Sequence, residues 1–266
     1  FRSIDLSREN QQLIQNLRER QKLIDQELEM AMHVQRSLLP IQPDVKGLDV
    51  GVLHRVEEKV SGDFFDIIPF GEKNYGFTMG RVMGRDVPAA LLMAAIFATS
   101  RSILSRKLAP ETFFKVANSA VYGILSKGYG NFVSMMYGQL DVRSRRLYAA
   151  SAGKMKTLLF REERDSYVSR CISTSGNFLG RFESGGFEEQ EIRIRRHDRI
   201  VTFTSQVLEI KNSKDEPFGL ERLSSFFQKH QGESPQRVSD AFGEELTSYA
   251  GPDEERDFSL MVIDIQ

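Results

Sequence analysis

The sequence has little cysteine, almost no net charge and no long apolar run, and each shortage excludes a class of protein. Cys171 is the single cysteine among 266 residues, which excludes an intrachain disulfide and a cysteine zinc cluster and fits a reducing, cytoplasmic location. The formal net charge of -1 gives no global field that would attract nucleic acid. No uninterrupted apolar run approaches the roughly 20 residues that span a bilayer. We therefore expect a globular chain without a membrane span.

Residues 3–39 contain neither glycine nor proline and are rich in Gln, Glu, Arg and Leu, which predicts one long helix ended by Pro40. Alternating steps of three and four residues mark a narrow seam on it. The seam consists of Ile14, Leu17, Gln21, Ile24, Leu28 and Ala31. So narrow a stripe fits either a helix lying on its own domain or a parallel dimeric coiled coil that makes the protein a homodimer. The start at Phe1 rather than Met favours a fragment whose upstream sensor domain is missing.

The rest of the chain, residues 40–266, is expected to form one α+β domain. Ten strands are predicted, at residues 48–56, 64–70, 75–82, 132–142, 146–152, 156–161, 167–172, 191–195, 199–204 and 258–265. Helices are predicted at residues 87–107, 110–127, 220–229 and 235–249. The short connections between residues 132 and 172 predict an antiparallel meander of four strands.

A glycine-containing loop joins the third predicted strand to the helix that follows it. Loops of this kind bind phosphates or metals in many folds. This one carries Arg81 and Arg85 beside Asp86. It therefore offers arginines where a hydrolytic metal site needs carboxylates.

Several collinear segments from about residue 31 to 266 together resemble the sporulation-protein-E/RsbU branch of the metal-dependent PPM serine/threonine phosphatases. The segments are Leu38-Leu39-Pro40, Gly62-Asp63-Phe64-Phe65-Asp66, Val87-Pro88-Ala89-Ala90, Phe132-Val133-Ser134-Met135, Ser151-Ala152-Gly153, Pro217-Phe218-Gly219-Leu220 and Asp257-Phe258-Ser259-Leu260. The resemblance implies two antiparallel sheets flanked by helices and dephosphorylation of a phosphoserine or phosphothreonine. It also implies a regulatory protein partner, such as an anti-sigma-factor antagonist.

Members of this family use two Mg²⁺ or Mn²⁺ ions, which prefer carboxylate oxygens and water. The resemblance places acidic metal ligands at four positions of this chain, and one of them keeps its acid, Asp63. The other three positions hold Arg81, Ser205 and Arg256. The family's Ala-Gly-His-x-Pro turn is also altered, and Lys154 stands at the histidine position.

Two introduced arginines oppose metal binding strongly. A unit charge about 4 Å from another costs on the order of 4 kcal/mol at an effective dielectric constant near 20, and a divalent ion about doubles that cost. Arginine cannot lose its proton to relieve the repulsion. The prediction is therefore a degenerate member of the family, a pseudophosphatase that binds a signalling partner and needs no cofactor.

Three arrangements of the residues around this degenerate site stay open. Arg81 and Arg256 could both pair with Asp63 and replace the ions with guanidinium–carboxylate bonds. Alternatively, Arg81, Arg85, Arg256 and Lys154 could form a basic pocket that holds a phosphoprotein without hydrolysing it. A third hypothesis is an active phosphatase with a rearranged metal site, whose ligands are Asp63, Asp66, Asp86 and Asp257.

Overall fold

A computed structural model describes residues 2–40, 45, 47–56, 59–84, 86–125, 132–164, 166–172, 174–252, 254 and 256–266. The chain begins with helix α1 (Arg2–Leu38), as the sequence predicts. Side chains on this helix are described from residue 10 onward. Pro40 lies two residues after the end of the helix, where its ring would clash with a further helical turn.

Two antiparallel sheets of five strands each follow. Sheet A has the order β1-β10-β9-β6-β7 and sheet B the order β2-β3-β4-β5-β8. The strands are β1 (Asp49–Arg55), β2 (Asp63–Gly71), β3 (Asn74–Val82), β4 (Val133–Asp141), β5 (Arg146–Ala152), β6 (Lys156–Glu163), β7 (Ser166–Ile172), β8 (Gln190–Arg193), β9 (Arg199–Phe203) and β10 (Phe258–Asp264).

Helices cover the outer face of each sheet and produce an α-β-β-α sandwich. Helices α2 (Asp86–Leu104) and α3 (Pro110–Leu125) pack on sheet B, whereas α5 (Gly219–Lys229) and α6 (Pro235–Tyr249) pack on sheet A. A short helix, α4 (Gln206–Glu209), was not predicted; it directly follows β9 and contacts β10. The predicted α+β class and sandwich architecture are therefore confirmed.

The alternation of side chains along the strands divides the core into two parts. In β10, Met261 and Ile263 join the cluster that includes the residues of sheet B, α2 and α3. Leu260 and Val262 point to the other face and pack against α5 and α6. One strand thus contributes to both parts, and the position of a residue along it determines which part it enters.

The predicted meander between residues 132 and 172 is wrong at its centre. β4 pairs with β5 and β6 pairs with β7, but β5 pairs with β8 while β6 pairs with β9 in the other sheet. The turn after β5 carries the chain from sheet B to sheet A through Gly153, whose φ of +71° is a conformation that glycine adopts without strain. The connection is as short as a hairpin loop, although it crosses between layers.

Helix α2 is the most apolar helix of the domain. Its window Val87–Leu104 has a mean hydropathy of 1.7 over 18 residues, so by length and composition alone it could span a membrane. This differs from the expectation of no such segment. The helix packs on β2, β3 and α3, which is the position of a core helix in a globular domain.

Candidate functional site

The centre of the candidate site is a salt bridge between neighbouring strands. Asp63 at the start of β2 is paired in register with Arg81 near the end of β3. Arg81 Nη1 lies 2.8 Å from Asp63 Oδ1 and also donates to the backbone oxygen of Asp257 at 3.3 Å. The Asp63 side chain is fully buried and that of Arg81 is 15% exposed. A guanidinium therefore neutralises the one acid retained from the predicted metal-ligand set.

Glycine at position 80 makes room for the ring of Phe64, its partner on the neighbouring strand. A Cβ atom built on Gly80 would lie 2.3 Å from the ring carbon Cζ of Phe64. A larger residue would therefore displace this ring. The same register that pairs Phe64 with Gly80 places Arg81 opposite Asp63.

Hydroxyl groups from sheet A satisfy the second oxygen of Asp63. Ser259 Oγ in β10 donates to Asp63 Oδ2 at 2.8 Å, and Thr204 Oγ1, directly after β9, lies 3.4 Å from the same oxygen. His54 Nδ1 in β1 is 2.9 Å from Ser259 Oγ. Burial lowers the pKa of His54 below its ordinary value of 6.5, against the nearby charge of Asp63, which raises it. The imidazole is therefore neutral at pH 7 and extends a polar network across the sheets.

These three side chains were missed by the sequence analysis. Their signal is weak: Ser259 and Thr204 are polar positions at the edges of apolar strands, a pattern common in sheet proteins. His54 is one of four histidines scattered along the sequence. The useful criterion for finding them is a polar residue at an inward-facing position of an otherwise apolar strand. Such a side chain needs a buried hydrogen-bond partner.

Arg256 does not take part in this network. It is 36% exposed, and its guanidinium binds Glu254 and, through Nη1 at 3.1 Å, Glu209 of α4. The hypothesis that Arg256 also pairs with Asp63 is therefore not met by the geometry. The reason is that two other acids lie within reach of its side chain.

Two of the remaining predicted positions, Ser205 and Lys154, are described in the structure. Ser205 is the N-cap residue of α4 but makes no capping hydrogen bond with its side chain. Lys154 has an exposed side chain, and its backbone N–H donates to Ser134 Oγ at 3.3 Å, where Ser134 is the β4 partner of Arg81. Arg85 lies outside the described residues, and so does the side chain of Asp86 at the start of α2.

Asp66 lies on the opposite face of β2 from Asp63. Residues three apart on a strand point to opposite faces, so Asp66 is directed toward α2, where Arg101 Nη1 is 3.5 Å from its Oδ2. That oxygen is buried and accepts no hydrogen bond within the described structure. Burial raises the pKa of Asp66, while Arg101 counteracts the shift. Asp63 and Asp66 cannot share a metal ion in this arrangement.

The donor groups around Asp63 do not suit a pair of divalent cations. Mg²⁺ and Mn²⁺ need several anionic oxygens and water, but Asp63 meets a guanidinium and two hydroxyl groups. Within the described part of the chain, no cluster of three or more His, Cys, Asp or Glu side chains could hold a metal ion.

Helix α1 is connected to this centre by hydrogen bonds. The buried side chain of Gln35 donates to the backbone oxygen of Ser61 at 2.7 Å and accepts from its N–H at 2.9 Å. The hydroxyl of Ser61 in turn accepts from the backbone N–H of Asp63 at 3.1 Å. A chain of three residues thus joins the helix to the backbone of Asp63.

The predicted seam of α1 divides into two halves. Leu28 and Ala31 are half-buried against the domain, whereas Ile14, Leu17 and Ile24 are about half exposed and Gln21 is exposed. The first alternative, a helix lying on its own domain, therefore describes the second half alone. The first half carries its apolar side chains without a cover within the single chain.

Comparison with known proteins agrees with the fold. The family model for Stage II sporulation protein E (SpoIIE) matches residues 71–266. The phosphoserine phosphatase RsbU of Bacillus subtilis (strain 168) is 24% identical over 252 residues, which are 94% of this chain and 73% of that protein.

Two solved structures have the same architecture. The SiaA-PP2C domain of Pseudomonas aeruginosa superimposes with a TM-score of 0.80 at 19% identity, covering 92% of this chain and 98% of that one. The RsbU and RsbW domains of Rv1364c from Mycobacterium tuberculosis superimpose with a TM-score of 0.70 at 21% identity, covering 84% of this chain and 61% of that one. The family match covers well over half of the sequence, so the chain belongs to the SpoIIE family, in the RsbU/SpoIIE branch of the PPM-type phosphatases.

Proposed function

We propose that this chain is a pseudophosphatase, a phosphatase domain that regulates signalling without hydrolysing phosphate esters. The observation that carries the proposal is the guanidinium of Arg81, 2.8 Å from the buried oxygen of Asp63. Both oxygens of Asp63 have partners from the protein itself, so the carboxylate is stable without a metal ion. Arg81, Ser205 and Arg256 are the proposed degenerate ligand positions, and no cofactor is needed.

The test is calorimetric titration with Mn²⁺ together with a phosphatase assay on a phosphoserine peptide. We expect no saturable heat and no metal-dependent turnover for the wild-type chain. The triple variant Arg81→Asp/Ser205→Asp/Arg256→Asp should gain Mn²⁺ binding, because it restores four acids around the site. Saturable Mn²⁺ binding or turnover by the wild-type chain would contradict the proposal and support the alternative of an active phosphatase. The orientation of Asp66, on the opposite face of β2 from Asp63, does not favour that alternative.

The proposed mode of action is binding of a regulatory protein in the cytoplasm. Rv1364c of Mycobacterium tuberculosis contains RsbU and RsbW domains, and another structural neighbour comes from work on the bacterial stressosome. We propose a partner of the kind the family implies, a small phosphoprotein such as an anti-sigma-factor antagonist. Calorimetry with the phosphorylated and unphosphorylated forms of such an antagonist tests this. Absence of binding for both forms would contradict it.

We also propose that the chain forms a homodimer through the first half of α1, with residues 1–39 as a coupling helix and residues 40–266 as the phosphatase-like domain. The half-exposed Ile14, Leu17 and Ile24 support this proposal, because a second copy would bury them. Light scattering should give a dimer for the wild-type chain and a monomer for Leu17→Glu/Ile24→Glu. Asn16→Glu/Gln26→Glu, two exposed positions on the outer face of the helix, is the matched control. A dimer that survives the seam changes would show that the interface lies elsewhere.

A further inference from the structure

A second basic feature lies at the other end of sheet A. A pocket of about 310 Å³ is formed where the β6–β7 hairpin meets the turn between β8 and β9. Its basic lining residues are Arg161, Arg164, Arg195, Arg196 and His197. This volume is near the lower limit of small-molecule sites, which begin at roughly 300 Å³.

Among the described residues that line the pocket, little acid is available to neutralise these groups. Asp198 lines the pocket, but both of its oxygens are used: Arg161 binds Oδ1 through Nε at 2.8 Å and Oδ2 through Nη2 at 2.6 Å, and the Arg195 N–H binds Oδ2 at 2.6 Å. Glu162 is the other acid in the lining and is exposed. The pocket therefore has an excess of positive charge in a chain whose net charge is -1.

Four of the basic side chains are free to bind a ligand. Within the described residues, no hydrogen bond or ion pair is formed by the side chains of Arg164, Arg195, Arg196 and His197. Arg161 differs, because its bidentate bond to Asp198 holds its buried side chain in one position at the base of the pocket. The site thus has a rigid base and unpaired donors around it.

The turn that carries three of these residues is held in place by its backbone. The N–H of His197 donates to the oxygen of Ile265 at 2.8 Å, and the N–H of Ile265 donates to the oxygen of Asp198 at 2.9 Å. His197 and Arg164 both have positive φ values, 66° and 55°, which is uncommon for residues other than glycine. Arg164 and His197 therefore lie in tight backbone conformations close to the ends of strands, and their positions do not depend on a long loop.

We infer that this pocket is a binding site for a phosphate monoester, in which the guanidinium groups of Arg164, Arg195 and Arg196 surround the dianion. Planar guanidinium groups match the oxygens of a phosphate in pairs, and they keep their charge at every physiological pH. A doubly charged oxyanion is the ligand class that best offsets several unpaired cations in so small a volume.

The site is separate from the Asp63 centre. Ser259, next to Asp63, and Asp264, beside the pocket, lie at opposite ends of β10, and five residues of strand span about 17 Å. The inference does not rest on the proposed function, because it involves neither Asp63 nor a metal ion. The basic pocket predicted from the sequence would use Arg81 and Arg256, which are engaged by acids in the structure.

The experiment is a titration of the full chain with inorganic phosphate in the presence of EDTA, followed by calorimetry and by backbone amide shifts. We expect saturable binding and shifts concentrated at residues 195–198. The variant Arg164→Gln/Arg196→Gln should raise the dissociation constant at least 10-fold; both residues are exposed, so the fold is retained. O-phosphoserine peptide and adenosine monophosphate then distinguish the source, since the tighter of the two identifies a protein or a nucleotide ligand.

The matched control is Arg143→Gln/Arg237→Gln, which removes the same charge from two exposed arginines that line no part of the pocket. Its dissociation constant should stay within twofold of the wild-type value. Three results would overturn the inference: no saturable phosphate binding, equal weakening in both double variants, or amide shifts confined to residues around Arg81. EDTA keeps these outcomes independent of the metal experiment proposed above.

Discussion

Arg81 does within one chain what metal ions do in the family to which this chain belongs: it places positive charge beside a buried aspartate. The difference is that the guanidinium is covalently attached and cannot activate a water molecule as a bound cation does. It also has a fixed geometry, since its strand is paired with the strand of Asp63. Under the proposed function, the residue therefore preserves the stability of the site without metal chemistry.

Removal of Arg81 should destabilise the domain. Arg81→Met leaves the carboxylate of Asp63 buried with hydroxyl partners alone, and we expect a loss of about 2 to 4 kcal/mol in the free energy of unfolding, somewhat below the loss from a fully buried pair. Urea denaturation measures it. Asp63→Asn in the same background should recover part of the loss, because the uncompensated charge is then removed.

The control for this cycle is Arg143→Met, whose side chain is 77% exposed and 4.0 Å from Glu72. Exposed pairs contribute about 0 to 1 kcal/mol, so this change should leave the unfolding midpoint nearly unaltered. If Arg81→Met were as harmless as Arg143→Met, the salt bridge would have no structural role.

Asp66 should make stability depend on pH in the direction opposite to a salt-bridged acid. Burial raises its pKa above 3.8, so the folded state holds the proton over a range in which the unfolded state has lost it. Its contribution to stability is thus greatest below about pH 3.8 and declines as pH rises through the folded pKa. Asp66→Asn should therefore raise the melting temperature at pH 7, with a gain that disappears toward pH 3.5.

Asp141 provides a comparison of opposite sign. A hydrogen bond from the Ser144 side chain, with further bonds from backbone N–H groups, lowers the pKa of Asp141. Its contribution is present above about pH 3.8 and is lost as pH falls through the lowered folded pKa. Asp141→Asn should lower the melting temperature at pH 7 and have little effect at pH 2. Equal pH profiles for the two variants would refute both assignments.

At the residue scale, the sequence predicts which residues stand at the site better than it predicts which partners they bind. The degenerate positions and the retained Asp63 could be found from motifs, and alternation along β2 is enough to place Asp63 and Asp66 on different faces of that strand. The destination of Arg256 could not be predicted, because it depends on the distance of its loop from Glu209, 47 residues earlier. A long flexible side chain pairs with whichever acid the tertiary structure brings within reach.

At the scale of elements, helix α1 is attached to the site through the side chain of Gln35. Gln35→Leu removes both hydrogen bonds to the buried backbone of Ser61, and unsatisfied buried groups cost about 1 to 3 kcal/mol. We expect faster amide exchange over residues 28–38, together with a loss of stability of that order. Hydrogen exchange followed by mass spectrometry measures the effect locally.

Gln12→Leu makes the same chemical change at an exposed position of the same helix. It should leave exchange over residues 28–38 unchanged, because its side chain touches no part of the domain. Unaltered exchange in Gln35→Leu as well would mean that the apolar contacts and the ion pair of Lys59 with Asp25 dock the helix without Gln35.

Element positions were predicted closely, but the assignment of strands to sheets was not. Helix α6 coincides with its predicted range, since Ser234 caps it and Pro235 occupies its first turn. The separation of β5 from β6 escaped prediction because a short connection normally joins paired neighbours. The side on which a strand finds its partner depends on long-range packing, which local pattern does not contain.

For the whole molecule, the proposed absence of a metal centre has a thermal consequence. A ligand present at 100 times its dissociation constant stabilises the folded state by about 2.7 kcal/mol. Adding about 1 mM Mn²⁺ to the wild-type chain should therefore shift its melting temperature by less than about 1 °C. A related active phosphatase should gain several degrees under the same conditions. A comparable gain for this chain would mean that it holds a metal ion with substantial affinity.

The position of β1 at the edge of sheet A affects how the protein is made. Its neighbour in the sheet is β10, about 200 residues later in the chain. At a synthesis rate of about 5 to 20 residues per second, the ribosome needs about 10 to 40 s to produce that partner. Until then the backbone groups of β1 have no partner strand. All five strands of sheet B are translated before β10. Sheet B can therefore assemble before β10 has been made, and sheet A is completed only once β10 is available.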